Sequence, residues 1–386
     1  MVKKRVFLAT CTVLFAFLLL LPAGAEEATG AAESVEESGF GAIREFRESL
    51  PPEVTALLPD GFFGEDPETV ASAVQNAADV PKILAYIRDF LGVSLRQALP
   101  LLAAVSGILV LSAVLRAVGA TSGAGTGRAF SFCSVTVLTL LLLRQSLSGV
   151  SRLRAWFEML CTLAGSMLPM MGTLYALGGN VGAAAANHTV MSVFLSVAQM
   201  LCTRAVLPVA GICLLLAVCD ALTGRAALKP LGNLIKRTFT LGFSFLMLLL
   251  SFLLGLQTTL AAGSDTLALR TVRFAAGSFL PVVGGSVSEA MKTVAGSISY
   301  LRTLAGSGGI LVLFLFFLPT FLTVLTTRIV FLLCGALAEL LEAKSEGRVL
   351  SELASVYGFF LAVIAAVFTM AVFALTIFAH CAVAGG

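Results

Sequence analysis

Few residues in this chain could do chemistry. There are two histidines, His188 and His380, and no H-E-x-x-H pair. Among the eight cysteines no CxxC spacing occurs. Cys133, Cys161, Cys202, Cys213, Cys219, Cys334 and Cys381 all fall in apolar tracts, where a thiol behaves as a small hydrophobic group. The glycine-rich run GATSGAGTGR lacks the Gly-Lys-Ser/Thr ending with which a phosphate-binding loop holds a nucleotide. A serine nucleophile needs an activating base, and Ser307 in AGSGG with His380 is the one conceivable pair. The expectation is a protein that is not an enzyme, with no catalytic residue, no cofactor and no metal site. A net charge of +3 gives no ground for nucleic-acid binding either.

What remains is polar chemistry in apolar surroundings. Gln199 and Arg204 stand in the tract from Val190 to Leu222, with Arg204 close to Pro208. A charge there must snorkel, pair, or line a watery cavity. Glu158 is spaced to pair with Arg154 one helical turn away. Glu339, Glu342, Lys344, Glu346, Arg348 and Glu352 read as a solvated connector.

One short element occurs twice. AGSMLPMMG begins at Ala164 and AGSFLPVVG at Ala276, with six of nine positions identical. FSF at Phe130 and at Phe243 precedes each copy, and Pro208 and Pro319 follow in apolar tracts. The pattern suggests two repeats, 98–208 and 210–320, of the kind from which many transporters are built. Pro169 and Pro281 would each break a helix inside the protein, because proline removes a backbone donor and crowds the preceding turn. Gly165, Ser166, Gly277, Ser278, Gly284 and Gly285 would let helices approach closely around the breaks, lining a cavity. The stretch from Asp265 to Ile310 is rich in Gly, Ser and Pro and carries Arg270, Arg273, Glu289 and Lys292. It cannot face lipid, and reads as a re-entrant hairpin, an interfacial helix pair or the lining of a cavity.

The elements that must position these residues are membrane helices. Hydrophobic residues make up 58% and charged residues 12%, and the mean hydropathy of +0.99 is beyond what a water-soluble chain can hide. Tracts long enough to cross a bilayer are Leu99–Val118, Phe130–Leu147, Phe157–Leu177, Val190–Leu222, Phe239–Leu260, Ile310–Leu333 and Leu353–Cys381. The fold class expected is all-α, a polytopic helical membrane protein with about seven spans, occupying 97–386. Ahead of it, 26–96 reads as an extracytoplasmic segment of short amphipathic helices on the membrane surface or docked on partners. Residues 1–25 read as a signal peptide, with Lys3, Lys4 and Arg5, an apolar run, and cleavage after Ala25 in Pro22-Ala23-Gly24-Ala25. The basic loop from Gly224 to Arg237 is expected on the cytoplasmic side, whereas Arg144, Arg152 and Arg154 conflict with that orientation.

The run FLPVVGGSVSEAMKTVAGS, within Asp265–Gly309, resembles the signature of the stage III sporulation protein AE family of endospore-forming bacteria. LPPEVTALLP, the LGNLIKR connector and the overall length are similar to that family too. The resemblance implies a mother-cell membrane protein, in the outer forespore membrane, of the transenvelope channel joining mother cell to engulfed forespore. It would be a permease-like subunit or assembly platform. Implied partners are a secretion-type ATPase, ring-forming membrane proteins and a forespore-side membrane protein. Two rival readings stand beside it. One is an autonomous secondary transporter with its site between the two AGSxLPxxG elements; the other is a structural anchor whose N-terminal helices recruit ring proteins. If the signal reading holds, N-terminal sequencing of the membrane-extracted protein returns Glu26, and a bulky residue in place of Ala25 blocks processing. Recovery of Met1 would overturn it.

Overall fold

The computed structural model describes residues 41–64, 67–122, 124–177, 202–206, 230–243 and 303–381, with scattered positions between 192 and 252. Ala25 and the signal segment lie outside them. Every described element is helical. Helix α1 covers 41–49, α2 Pro52–Thr55, α3 Pro67–Ala77, α4 Val80–Ser122 and α5 Ala124–Leu177. Residues 230–243 form α6, and α7 (Gly309–Leu340) and α8 (Lys344–Cys381) complete the described set. Single π-helical turns occur at Cys202–Val206 and Leu304–Gly308.

Four helices are long and apolar enough to cross a membrane: α4, α5, α7 (with the turn before it) and α8. Their outward residues are also apolar. Leu111, Val114, Leu140, Leu332 and Leu333 are each more than half exposed. A face of this kind is uncommon on a soluble monomer and suits lipid. The described residues thus hold four such helices. The tracts Val190–Leu222 and Phe239–Leu260 lie largely outside them. Phe130–Leu147 and Phe157–Leu177 are not two spans: both belong to α5, which runs unbroken for 54 residues. The intervening SGVSRLRAW contains a single glycine and otherwise helix-compatible residues, so nothing in it forces a turn. Arg144, Arg152 and Arg154 therefore belong to a helix and not to a connector, which removes the loop on which the orientation conflict rested.

Helix α7 is the hub. It packs on α8 and α4, and α5 packs on α4 and α8. The α7–α8 turn is tight because Glu342 adopts a left-handed conformation (φ 55°). The Ala343 amide donates to the Ala338 carbonyl at 2.7 Å and the Glu342 amide to the Glu339 carbonyl at 3.1 Å. That is the pairing that closes a helix C-terminus when the next residue turns left-handed. Arg116 of α4 reaches over the same turn, donating to the Glu342 and Leu341 carbonyls at 3.3 and 3.4 Å. A cation suits the negative end of a helix.

Beneath that turn sits Glu346, fully buried. Its Oε1 accepts from the Ser112 hydroxyl at 2.5 Å, and its Oε2 lies 3.6 Å from Arg116. A second buried pair lies nearly two turns further along α8. Lys236 of α6 reaches Glu352 at 3.4 Å and the Ser355 hydroxyl at 2.7 Å. Glu346 and Glu352 are thus not part of a solvated connector; each is a buried contact that ties α8 to another helix.

At the opposite end of the four helices, the segment before α4 folds onto them. Phe46, Val54, Phe62 and Val70 are buried. Phe62 lies against Gly308, where an added Cβ would come within 3.1 Å of its ring. Ser49 and Ser166 share a hydrogen bond at 2.7 Å, and Tyr86 donates to the Leu57 carbonyl at 3.3 Å. The amphipathic stretch beginning at Pro81 is no separate helix but the first part of α4.

Removing one member of a buried pair leaves the other without compensation, which costs about 3–5 kcal/mol. Arg116→Ala, which leaves the fully buried Glu346 with Ser112 alone, is expected to lower stability by about that amount, and Glu346→Ala by less, since the Arg116 it leaves is partly exposed and still meets the Leu341 and Glu342 carbonyls. Denaturant titration of the detergent-solubilised protein measures both. Equal stability of Glu346→Ala and wild type would show that the carboxyl is not holding α4 to α8.

Candidate functional site

Halfway along α7 the packing of the four helices opens into a cavity of about 310 Å³. Gln97 of α4 and Gly149 and Arg152 of α5 line one side. Pro319, Thr320, Thr323 and Thr327 of α7 and Tyr357 of α8 line the other, with Leu153, Val324 and Phe360 supplying apolar wall. The polar residues of α7 share a face because they recur at helical spacing. Pro319 donates no backbone hydrogen bond, so the carbonyl one turn earlier loses its helical partner. The threonines turn their protons inward to the helix. Thr323 donates to the Pro319 carbonyl and Thr327 to the Thr323 carbonyl, each at 2.8 Å. Ser94 of α4 approaches Thr323 at 3.4 Å.

Tyr357 is the deepest polar group. It is 2% exposed, its ring edge-on to Phe331 at 5.1 Å and tilted against Phe360 at 5.4 Å. Its hydroxyl is buried beside Ser146, and neither oxygen makes a well-formed hydrogen bond among the described residues. Gly149 is what admits it: a Cβ built there would stand 2.8 Å from the Tyr357 hydroxyl. One turn past Arg152, Trp156 stacks on Phe316 at 5.8 Å and donates toward its carbonyl at 3.4 Å, fixing α5 against α7. Arg152 itself is exposed, at the mouth.

The residues expected to form a site do not gather here. Pro169 lies inside α5, eight residues before its end, so it does not break the helix. Flanking Ser166 and Leu163 keep helical geometry, with the Ser166 hydroxyl donating to the Leu163 carbonyl at 2.9 Å. A Cβ on Gly165 would meet nothing within 4 Å, so this glycine is not required for close approach. Ser166 is buried, but against Ser49 of α1. The first AGSxLPxxG element therefore docks the N-terminal segment. Its Met167 packs on Gly309, where a Cβ would collide with the methionine methyl. Arg204 is exposed in the π-helical turn Cys202–Val206. Gln199, Gly277, Ser278, Pro281, Gly284 and Gly285 lie outside the described residues, as does the comparison of the two copies.

Arg152 and Tyr357 went unrecognised in the sequence, and so did Arg328. The Arg328 guanidinium lies against the Gly358 backbone, about 3.1 Å from where a Cβ would stand, and its Nε has no hydrogen bond among the described residues. An arginine that far inside an apolar tract was the available signal.

Comparison with known proteins bears on what this arrangement serves. The family described as Stage III sporulation protein AE matches residues 68–382. A curated protein of Bacillus subtilis (strain 168), named Stage III sporulation protein AE, is 24% identical over 148 residues. That match covers 38% of this chain and 37% of the relative. No solved structure matches.

The Gly149–Tyr357 contact can be tested as a pair. Gly149→Ala overpacks it and is expected to cost about 1–3 kcal/mol. In a Tyr357→Phe background the clashing oxygen is gone and only a ring carbon at 3.5 Å remains. There the same change is expected to be neutral or slightly stabilising, since alanine favours a helix over glycine. Unfolding midpoints of the four proteins close the cycle. Strict additivity would show that the two residues do not touch.

Proposed function

Because the chain belongs to the stage III sporulation protein AE family, we propose that it is a multi-pass membrane component of the channel complex joining mother cell to forespore, acting there as a permease-like subunit. The observation that supports this reading is the cavity midway along helices of membrane-crossing length, in whose mostly apolar wall Gln97, Arg152, Tyr357 and three threonines are set. Polar groups at such a position are costly in lipid and are kept where a solute or water must be met. The chain supplies no catalysis in this reading. A secretion-type ATPase and ring-forming membrane proteins are the proposed partners, and the outer forespore membrane of the mother cell the proposed location.

The assembly-platform reading draws on a different feature, the N-terminal helices folded on the far end of α5 and α7. They present a surface on which ring proteins could dock without any solute passing. The autonomous-transporter reading has less to stand on. It needs the AGSxLPxxG elements to form a site, and the first is occupied in holding α1 through Ser166.

Filling the cavity separates the first two. Thr327→Trp would occupy it without adding charge, in a residue whose loss leaves the buried ion pairs intact. In a spore-forming strain that depends on this chain, the variant is expected to reach the membrane in normal amount. Yield of heat-resistant spores should fall to that of a strain lacking the protein. Normal spore yield from the filled variant would sink the permease-like reading. If spores then fail on changing Phe62 and Ser49, with ring proteins no longer co-purifying, the platform reading takes its place.

A further inference from the structure

We propose that the cavity between α4, α5, α7 and α8 is a binding site for a small oxyanion, a carboxylate or phosphate group. The inference rests on the permease-like reading and narrows it to a class of solute.

The lining carries one full charge, and it is positive. Arg152 contributes a guanidinium at the mouth, and no aspartate or glutamate lines the cavity. A guanidinium offers paired N–H donors whose spacing matches the two oxygens of a carboxylate or phosphate. Further in, the Tyr357 hydroxyl is buried without a well-formed bond among the described residues. Ser146 stands beside it, so the phenol O–H can turn from that neighbour to an acceptor that enters the cavity. The Gln97 amide adds two N–H donors from α4. Donors from three helices thus line one cavity, with no carboxylate in the lining to repel an anion.

The same inventory argues against a cation. A desolvated cation in a membrane site is held by carboxylates or by several free carbonyls, and none of the former is present. The size also suits a small solute, at the lower end of the range for ligand pockets.

The chain carries its own reporter. Trp156 is its single tryptophan and lies one helical turn beyond Arg152. The experiment uses the full chain in nanodiscs of neutral phosphatidylcholine, titrated with inorganic phosphate or glutamate at ionic strength matched with chloride. The expected result is a saturable change in Trp156 fluorescence and a rise in unfolding midpoint. Both should be lost in Arg152→Gln, kept in part in Arg152→Lys, and weakened in Tyr357→Phe. Arg348→Gln, far from the cavity, should behave as wild type. A parallel set of nanodiscs contains anionic phosphatidylglycerol. A change seen only there, and lost in Arg152→Gln, assigns the oxyanion to a lipid headgroup and not to a free solute. Absence of any Arg152-dependent response in both sets overturns the proposal. The outcome is independent of the spore test. A site that binds no oxyanion, in a protein whose filled variant cannot sporulate, would leave the permease-like reading standing and remove this one.

Discussion

The carboxyl of Glu346 is the contact on which the bundle's geometry depends. It lies at the start of α8, fully buried, where a charged group is tolerated only if protein atoms replace its water. Ser112 and Arg116, one turn apart on α4, do so. At 3.6 Å the Arg116 contact is an ion pair and not a hydrogen bond, so the short Ser112 bond is the directional part. Arg116 also holds the carbonyls that end α7, so a single α4 side chain gathers both sides of the α7–α8 turn. The register of α4 against α7 and α8 is thereby set at one end. Slipping it by a residue would bury the same carboxyl with no partner. Such pairs add little net stability over an apolar core, but they discriminate strongly against wrong alignments.

Fixing that end determines what meets further along. With the register set, Gln97, Arg152, Thr327 and Tyr357 fall at one level, although they come from four helices. Large side chains hold the walls apart while glycines let selected groups in. Gly149 admits the Tyr357 hydroxyl, and on its other flank Gly358 admits the Arg328 guanidinium. The Thr323 and Thr327 hydroxyls spend their protons on their own helix, and across the cavity Thr323 meets only Ser94, at 3.4 Å. The far end is fastened separately, by Phe62 on Gly308 and Ser49 on Ser166. The cavity thus lies between two clamps of different chemistry.

Much of the helical framework is legible in the sequence, and the failures have physical causes. The tracts at Leu99, Ile310 and Leu353 coincide with apolar parts of α4, α7 and α8 because unbroken hydrophobic length is a strong signal. The break expected between Leu147 and Phe157 rested on polarity alone, but Arg152 lines the cavity and Arg154 pairs with Glu158 one turn on, so the helix carries these polar residues without turning. Family membership was legible from FLPVVGGSVSEAMKTVAGS, a run that lies outside the described residues. The site was not legible. Attention to the AGSxLPxxG echo favoured glycine and proline as cavity formers, whereas Gly165 faces open space and Ser166 serves docking. The acids after Glu339 looked like one solvated run because charge density was read without helical phase. Glu346 in fact shares a stripe with the buried Leu350, Leu353, Tyr357 and Phe360, and Glu352 shares one with Val356, Phe359 and Val363. Spacing of three and four would have separated both from the exposed Glu339 and Lys344.

Arg328 carries the same lesson one step further. It stands on α7 one residue after Thr327, but its direction is that of Gly358 and not of the cavity. An α-helix turns 100° per residue, so neighbours in sequence serve different faces. Thr327 meets the solute space, and Arg328 presses its guanidinium on α8 beside Tyr357. Any movement of α8 that shifts Tyr357 therefore also shifts the backbone supporting Arg328. Arg328 thus bears on the residue next to Tyr357, within one stretch of α8. The cavity's shape is in that sense written on the helix faces behind it, at positions where the absence of a side chain does the positioning.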